Sequence, residues 1–161
     1  MNAIETAIKM ETDAIKFYRE AAEKTKHHGG KAILLTIVED EKRHLQMLTD
    51  ILKGLDIKIQ DVSPLKNIKT VFEAKKDEMM DRISASDDEL EAFKIAMEME
   101  KEGREFYEKN ISLLEKDTEK ELFKMLAKEE IEHHKIFSNT YHFLKDSGNW
   151  FMWEERSIVE G

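Results

Sequence analysis

Two short segments, Glu41-Lys-Arg-His44 and Glu130-Ile-Glu-His133, each place a carboxylate three residues before an imidazole. On a helix that spacing puts both side chains on one face. Each pair interrupts an otherwise apolar line, the first between Ile37 and Leu48, the second between Leu126 and Phe137. Two further glutamates intrude in the same way. Glu11 stands in the seam Ile4, Ile8, Ile15, Tyr18, and Glu100 stands in the seam Phe93, Met97, Tyr107. Burying four carboxylates without partners would cost on the order of several kcal/mol each. Two divalent cations would neutralise all four. With no Cys in the chain, thiolate zinc sites, iron–sulfur clusters, disulfides and Cys nucleophiles are excluded, so any metal must be held by carboxylate and imidazole.

The spacing repeats. Adding 89 takes Glu11 to Glu100, Tyr18 to Tyr107, Glu41 to Glu130 and His44 to His133. Ala3, Ala7, Met10 and Phe17 likewise fall on Ala92, Ala96, Met99 and Phe106, giving six identities in the sixteen positions 3–18. Composition alone would give about one. The chain thus reads as two helical hairpins, each supplying one lone Glu and one Glu-x-x-His. Facing each other, they bring four Glu and two His together, the donor set of two-iron and two-manganese carboxylate bundles. Oxygen donors with imidazole suit iron or manganese, with zinc compatible and copper less so. The bland alternative is a set of ordinary charges on a solvated helix face.

The elements that must position these donors are four amphipathic segments with apolar residues at helical spacing. The first runs from about Ala3 to Lys26, closed by Gly29-Gly30, and the second from about Lys31 to Lys53, stopped by Gly54. The third follows Ser86-Asp-Asp-Glu89, a capping-box pattern. The fourth runs from about Lys116 to Lys145, ended by Gly148. A connection over about 55–85, with a shorter amphipathic stretch inside it, is long enough to cross a bundle from end to end. The expected fold is all-α, a four-helix bundle over 1–148 with one long crossover containing a short helix. The tail 149–161 holds Trp150 and Trp153, expected to pack on the bundle or on a second subunit. His27 and His28 are expected in a solvated loop. His134 and His142 have no matched partner, and the nine methionines fill core space.

Net charge of −9 argues against nucleic-acid or anionic-membrane partners. No apolar run reaches transmembrane length and the first residues carry no signal-peptide core, so the expectation is a cytoplasmic protein.

The segments Glu11 to Tyr18, Asp40-Glu-Lys-Arg-His44, Glu100 to Tyr107 and Glu129-Glu-Ile-Glu-His133 resemble the rubrerythrin branch of the ferritin-like superfamily, in the family's order and over almost the whole chain. The resemblance implies that Glu41 and Glu130 bridge two metals, with Glu11, Glu100, His44 and His133 as terminal ligands. The second segment matches the Asp/Glu-Glu-x-Arg-His signature through Arg43, whereas Glu132 stands where the second Arg would be. Asp40 and Glu129, each four residues before a histidine, could accept a hydrogen bond from its ring, or be surface acids. Tyr18 and Tyr107 read as core residues whose hydroxyls reach a buried acceptor, with a redox or proton-transfer role as the lesser reading.

Two departures matter. Rubrerythrins commonly carry a rubredoxin-like iron–Cys domain, which a chain without Cys cannot. Many also have an additional Glu one turn beyond the third-helix ligand, where this chain has Gly103, and Ala14 is its repeat counterpart. The implied activity is an oxidoreductase reducing hydrogen peroxide or oxygen at two irons with electrons from a separate donor protein. The competing readings are iron oxidation and storage in a ferritin-like shell, and a structural bundle that metal stabilises. A homo-oligomer is expected, with a dimer favoured.

Overall fold

The computed structural model describes residues 2–59, 62–68 and 86–145, which form helices and no strand. Helix α1 spans Ala3–Lys24 and α2 His28–Leu52; α3 spans Asp87–Asn110, and α4 spans Asp117–Lys145 after a single 3-10 turn at Ile111–Leu113. Capping sets the starts. The Asn2 side chain accepts from the Glu5 N–H at 2.8 Å, and Ser86 and Glu89 form a full capping box at α3. Buried Glu89 also accepts from the Lys26 N–H, tying the start of α3 to the turn between α1 and α2.

That turn differs from the sequence expectation. The chain leaves α1 at Thr25, and Gly29-Gly30 lies inside the first turn of α2 instead of closing α1. Gly30 packs against the Phe93 ring and Thr25, each 3.4 Å from where a Cβ would stand. His27 is likewise not a solvated loop residue. It is 2% exposed and caps α2, its Nδ1 accepting from the Gly30 N–H at 3.2 Å.

Helix α1 packs mainly on α2 and α3 mainly on α4, and the two hairpins meet through α1 with α3 and α2 with α4. The apolar seams close into two clusters. One joins the starts of α1 and α4 to the ends of α2 and α3, through Ile4, Leu48, Tyr107 and Phe123. The other joins the opposite ends, through Ala22, Ile33, Phe93 and Phe137. Because α2 finishes at the first cluster and α3 begins at the second, the connection between them must run the length of the bundle. Its helical stretch at 64–68 has already reached the second cluster, where Leu65 and Ile68 are buried. This is the ferritin-like all-α four-helix bundle with one long crossover. The remainder of the crossover, Gly148, and the tail with Trp150 and Trp153 lie outside the described residues. No helix among those described is long and apolar enough to cross a membrane.

Each large buried side chain in these clusters contributes about 1.5–3 kcal/mol. The layer they enclose has the opposite character.

Candidate metal centre

Between the two apolar clusters lie Glu11, Glu41, His44, Glu100, Glu130 and His133, none more than 4% exposed. Each helix delivers its share from the face it turns inward. Glu11 comes from α1, Glu41 and His44 from α2, Glu100 from α3, and Glu130 and His133 from α4. The donor atoms fall into two groups. Glu11, Glu41, His44 and Glu130 form one; Glu41, Glu100, Glu130 and His133 form the other, with donor atoms in each within 4.8 Å of one another. Glu41 and Glu130 belong to both.

Each imidazole faces two ways. His44 Nδ1 lies 3.6 Å from Glu11, 3.7 Å from Glu41 and 3.6 Å from Glu130. His133 Nδ1 lies 2.9 Å from Glu41 and 3.5 Å from Glu100. The Nε2 atoms point to outer carboxylates, His44 to Glu129 at 3.1 Å and His133 to Asp40 at 2.9 Å. Here the structure corrects the sequence reading, which paired each histidine with the acid four residues before it. The bonds cross between hairpins because Nδ1 faces the cluster, and the far side of each ring then meets the opposite Glu-x-x-His helix. Arg43 bonds Glu129 through both terminal nitrogens and lies 3.6 Å from Asp40. Asp40, Glu129 and His133 also gather donor atoms, but the Arg43 guanidinium already supplies the positive charge there.

The tyrosines follow the same reciprocal pattern. Tyr18 OH donates to Glu100 Oε1 at 2.7 Å, and Tyr107 OH donates to Glu11 Oε1 at 2.5 Å. Both hydroxyls are fully buried, and burial beside these carboxylates pushes them well above the ordinary tyrosine pKa. They stay protonated and donate.

The family follows from a comparison along the chain: the family model described as Rubrerythrin matches residues 2–141. The chain belongs to the rubrerythrin family. Its fold is similar to the solved structure of a hypothetical protein from Pyrococcus furiosus, with a TM-score of 0.65, 21% identity and 89% of each chain covered. No curated protein matches it.

For a rubrerythrin-family chain the fit to metal can be tested on the side chains themselves. Among the described residues, the buried side-chain atoms with no hydrogen-bond partner are Glu11 Oε2, Glu41 Oε1, His44 Nδ1, Glu100 Oε2, Glu130 Oε1, His133 Nδ1 and Arg104 Nε. Six of the seven are one atom from each residue of the cluster, and two of these, Glu41 Oε1 and His133 Nδ1, face each other at 2.9 Å without hydrogen-bond geometry. Buried polar atoms left unpaired cost about 1–3 kcal/mol each, so such a concentration of lone-pair donors marks a place for cations.

Protonation in the metal-free cluster agrees. Burial, then the charge of Glu41, lifts Glu11 to about 8. Burial and the charges of Glu100, Glu41 and Glu11 hold Glu130 well above the usual carboxylate range. Burial also opposes ionisation of Glu41 and Glu100, but hydrogen bonds and, for Glu100, the nearby His133 charge draw both below that range. Burial disfavours charge on the histidines, yet Glu11 raises His44 and Glu100 raises His133 well above the ordinary imidazole value. Protons on Glu11, Glu130 and the two histidines thus offset the charge of Glu41 and Glu100.

Sequence reasoning missed the cleft above this layer. A hollow of about 250 Å³ between α1 and α3 reaches the four glutamates, its walls including Met10, Asp13, Met99, Glu102 and Gly103. Gly103 was noticed for the Glu it lacks, and its packing is now visible: a Cβ would stand 3.1 Å from Glu130 Oε2.

Proposed function

We propose that the cluster holds two iron ions and that the protein reduces hydrogen peroxide or oxygen with electrons from a separate donor. The observation that supports this reading is the division of six donors into two groups that share Glu41 and Glu130. Glu41 and Glu130 would contribute to both positions, with Glu11 and His44 holding one ion and Glu100 and His133 the other. Such an iron pair supplies Lewis acidity and electrons for cleaving an oxygen–oxygen bond.

The chain's own residues prepare the donors. Glu129 and Asp40 accept from the imidazole Nε2–H, which fixes the tautomer and leaves the Nδ1 lone pair facing the cluster. Tyr107 and Tyr18 each occupy one oxygen of Glu11 and Glu100 and leave the other free. The apolar clusters on either side shield the donors from water, and the cleft reaches them from between α1 and α3. Reduction of one peroxide consumes two electrons and two protons and yields two waters. The absence of Cys means that this chain supplies no thiolate-held iron, so the electrons must come from elsewhere.

The test is to measure metal per chain, load iron(II) anaerobically, and follow the near-ultraviolet and visible spectrum while peroxide is added. Two irons per chain, oxidation within one mixing event, and repeated cycles with a reductant support the reading. A two-iron form that neither oxidant changes would sink the redox activity. Uptake far beyond two irons per chain would favour storage instead.

A further inference from the structure

The cleft between α1 and α3 has a symmetry of its own. Apart from Tyr18, every residue lining it has a partner 89 positions away in the same lining. Met10 pairs with Met99, Asp13 with Glu102 and Ala14 with Gly103, and the four cluster glutamates form the floor. The cleft therefore lies where the two hairpins are related to each other, above both donor groups at once. Among the described residues its lining holds six carboxylates and no Lys, Arg or His. Asp13 and Glu102 are exposed at the rim, and Asp13 is also in contact with Lys9 at 2.8 Å. The floor carries buried oxygens of Glu11, Glu41, Glu100 and Glu130 with no hydrogen-bond partner.

A passage with acidic walls attracts cations and repels anions. Its volume suits an ion that still carries water. Six waters occupy about 180 Å³ at their liquid volume, within the 250 Å³ of the cleft. Small residues keep it open. Ala14 contributes one methyl group, and Gly103 lets the Glu130 carboxylate lie directly beneath.

We infer that this cleft is the route by which a hydrated divalent cation reaches the cluster, with Asp13 and Glu102 drawing it in and Ala14 and Gly103 leaving it room. The inference rests on the metal-centre reading and adds the path by which the centre is filled. The same lining admits small neutral molecules and turns anions away.

The experiment is stopped-flow uptake of cobalt(II) by the metal-free full chain, read by cobalt absorbance. The rim variant Asp13→Asn/Glu102→Gln is compared with the control Glu23→Gln/Glu108→Gln, which removes the same charge from exposed positions on the same helices. At low ionic strength the rim variant should load roughly tenfold more slowly than the control, the low end of what electrostatic steering supplies. The gap should close at about 0.5 M salt, where exposed charges are screened. Both proteins should still bind two cobalt ions. Ala14→Leu, checked for helicity by circular dichroism, should slow uptake at every salt concentration by narrowing the path. Equal rates for rim variant and control at low salt, with two cobalt ions bound, would overturn the route and leave the centre intact. A wild-type chain that takes up no cobalt would overturn the centre and the route with it.

Discussion

In the hairpin of α1 and α2, Arg43 stands one residue before His44 and reaches both outer acids, Asp40 on its own helix and Glu129 on α4. In the hairpin of α3 and α4 the matching position is Glu132, partly buried and raised in pKa chiefly by that burial. The inner donors obey the repeat while their surroundings do not. One guanidinium serves two acids that each hold a histidine, so a second would have nothing to neutralise. The metal-free cluster is unequal too. Glu11 holds a proton to about 8 while its counterpart Glu100 sits below the usual range. Glu41 is low where Glu130 is high. Repetition of the donor set therefore does not require repetition of charge.

The sharpest way to break the equivalence of the hairpins is to remove a shared donor and a private one. Glu41→Ala should weaken both metal positions, by more than about 100-fold, beyond the loss seen when only an orienting partner is removed. Glu11→Ala should leave one metal per chain; elemental analysis after dialysis separates the outcomes. Equal losses from both would contradict the shared role of Glu41.

A second measurement uses the inequality between Glu11 and Glu100. A carboxyl whose folded pKa exceeds its unfolded one binds a proton that the unfolded chain has released. Its stabilising effect is complete below 4.5 and is lost as pH rises through about 8. The raised histidines act in the same direction above 6.5. The low Glu100 has its full effect above 4.5 and adds no slope there. Metal-free protein should thus lose up to roughly 5 kcal/mol between those limits from Glu11, visible as a falling Tm. Glu11→Gln should flatten that slope, since it removes both the Glu11 titration and the charge that raises His44.

The outer residues give the next effect. Arg43→Met strands two buried acids and should cost about 3 kcal/mol by denaturant titration, whereas Glu132→Gln should stay within about 0.5 kcal/mol. A comparable cost at both positions would show that the two hairpins are balanced after all. Smallest is the crossed orientation of the histidines. Asp40→Asn and Glu129→Gln should each weaken metal affinity roughly 10–100-fold. By NMR the proton shifts should move first on the histidine of the opposite hairpin, His133 for Asp40 and His44 for Glu129.

The inner residues were legible because a carboxylate in an apolar seam is conspicuous, and because the interval of 89 repeats both lone glutamates and both Glu-x-x-His pairs. The four helices were legible for the same reason, through periodicity and the Ser86 cap. The outer bonds were not. Asp40 and His44 share a helix face, but which acid a ring meets depends on how α2 lies against α4, and spacing along one helix is silent about that. Gly29-Gly30 misled because a Gly pair reads as a stop, while here it packs against Phe93 beside a histidine cap. The cleft escaped because Asp13 and Glu102 look like any exposed helix acids until α1 is set beside α3.

The crossed outer bonds also constrain how this chain can vary by inheritance. Tyr18 serves Glu100 across 82 positions and Tyr107 serves Glu11 across 96, while the two histidines reach over 85 and 93. A residue that orients a partner in the other half cannot drift together with its own repeat. Substitutions at these places should be inherited as pairs spanning most of the chain.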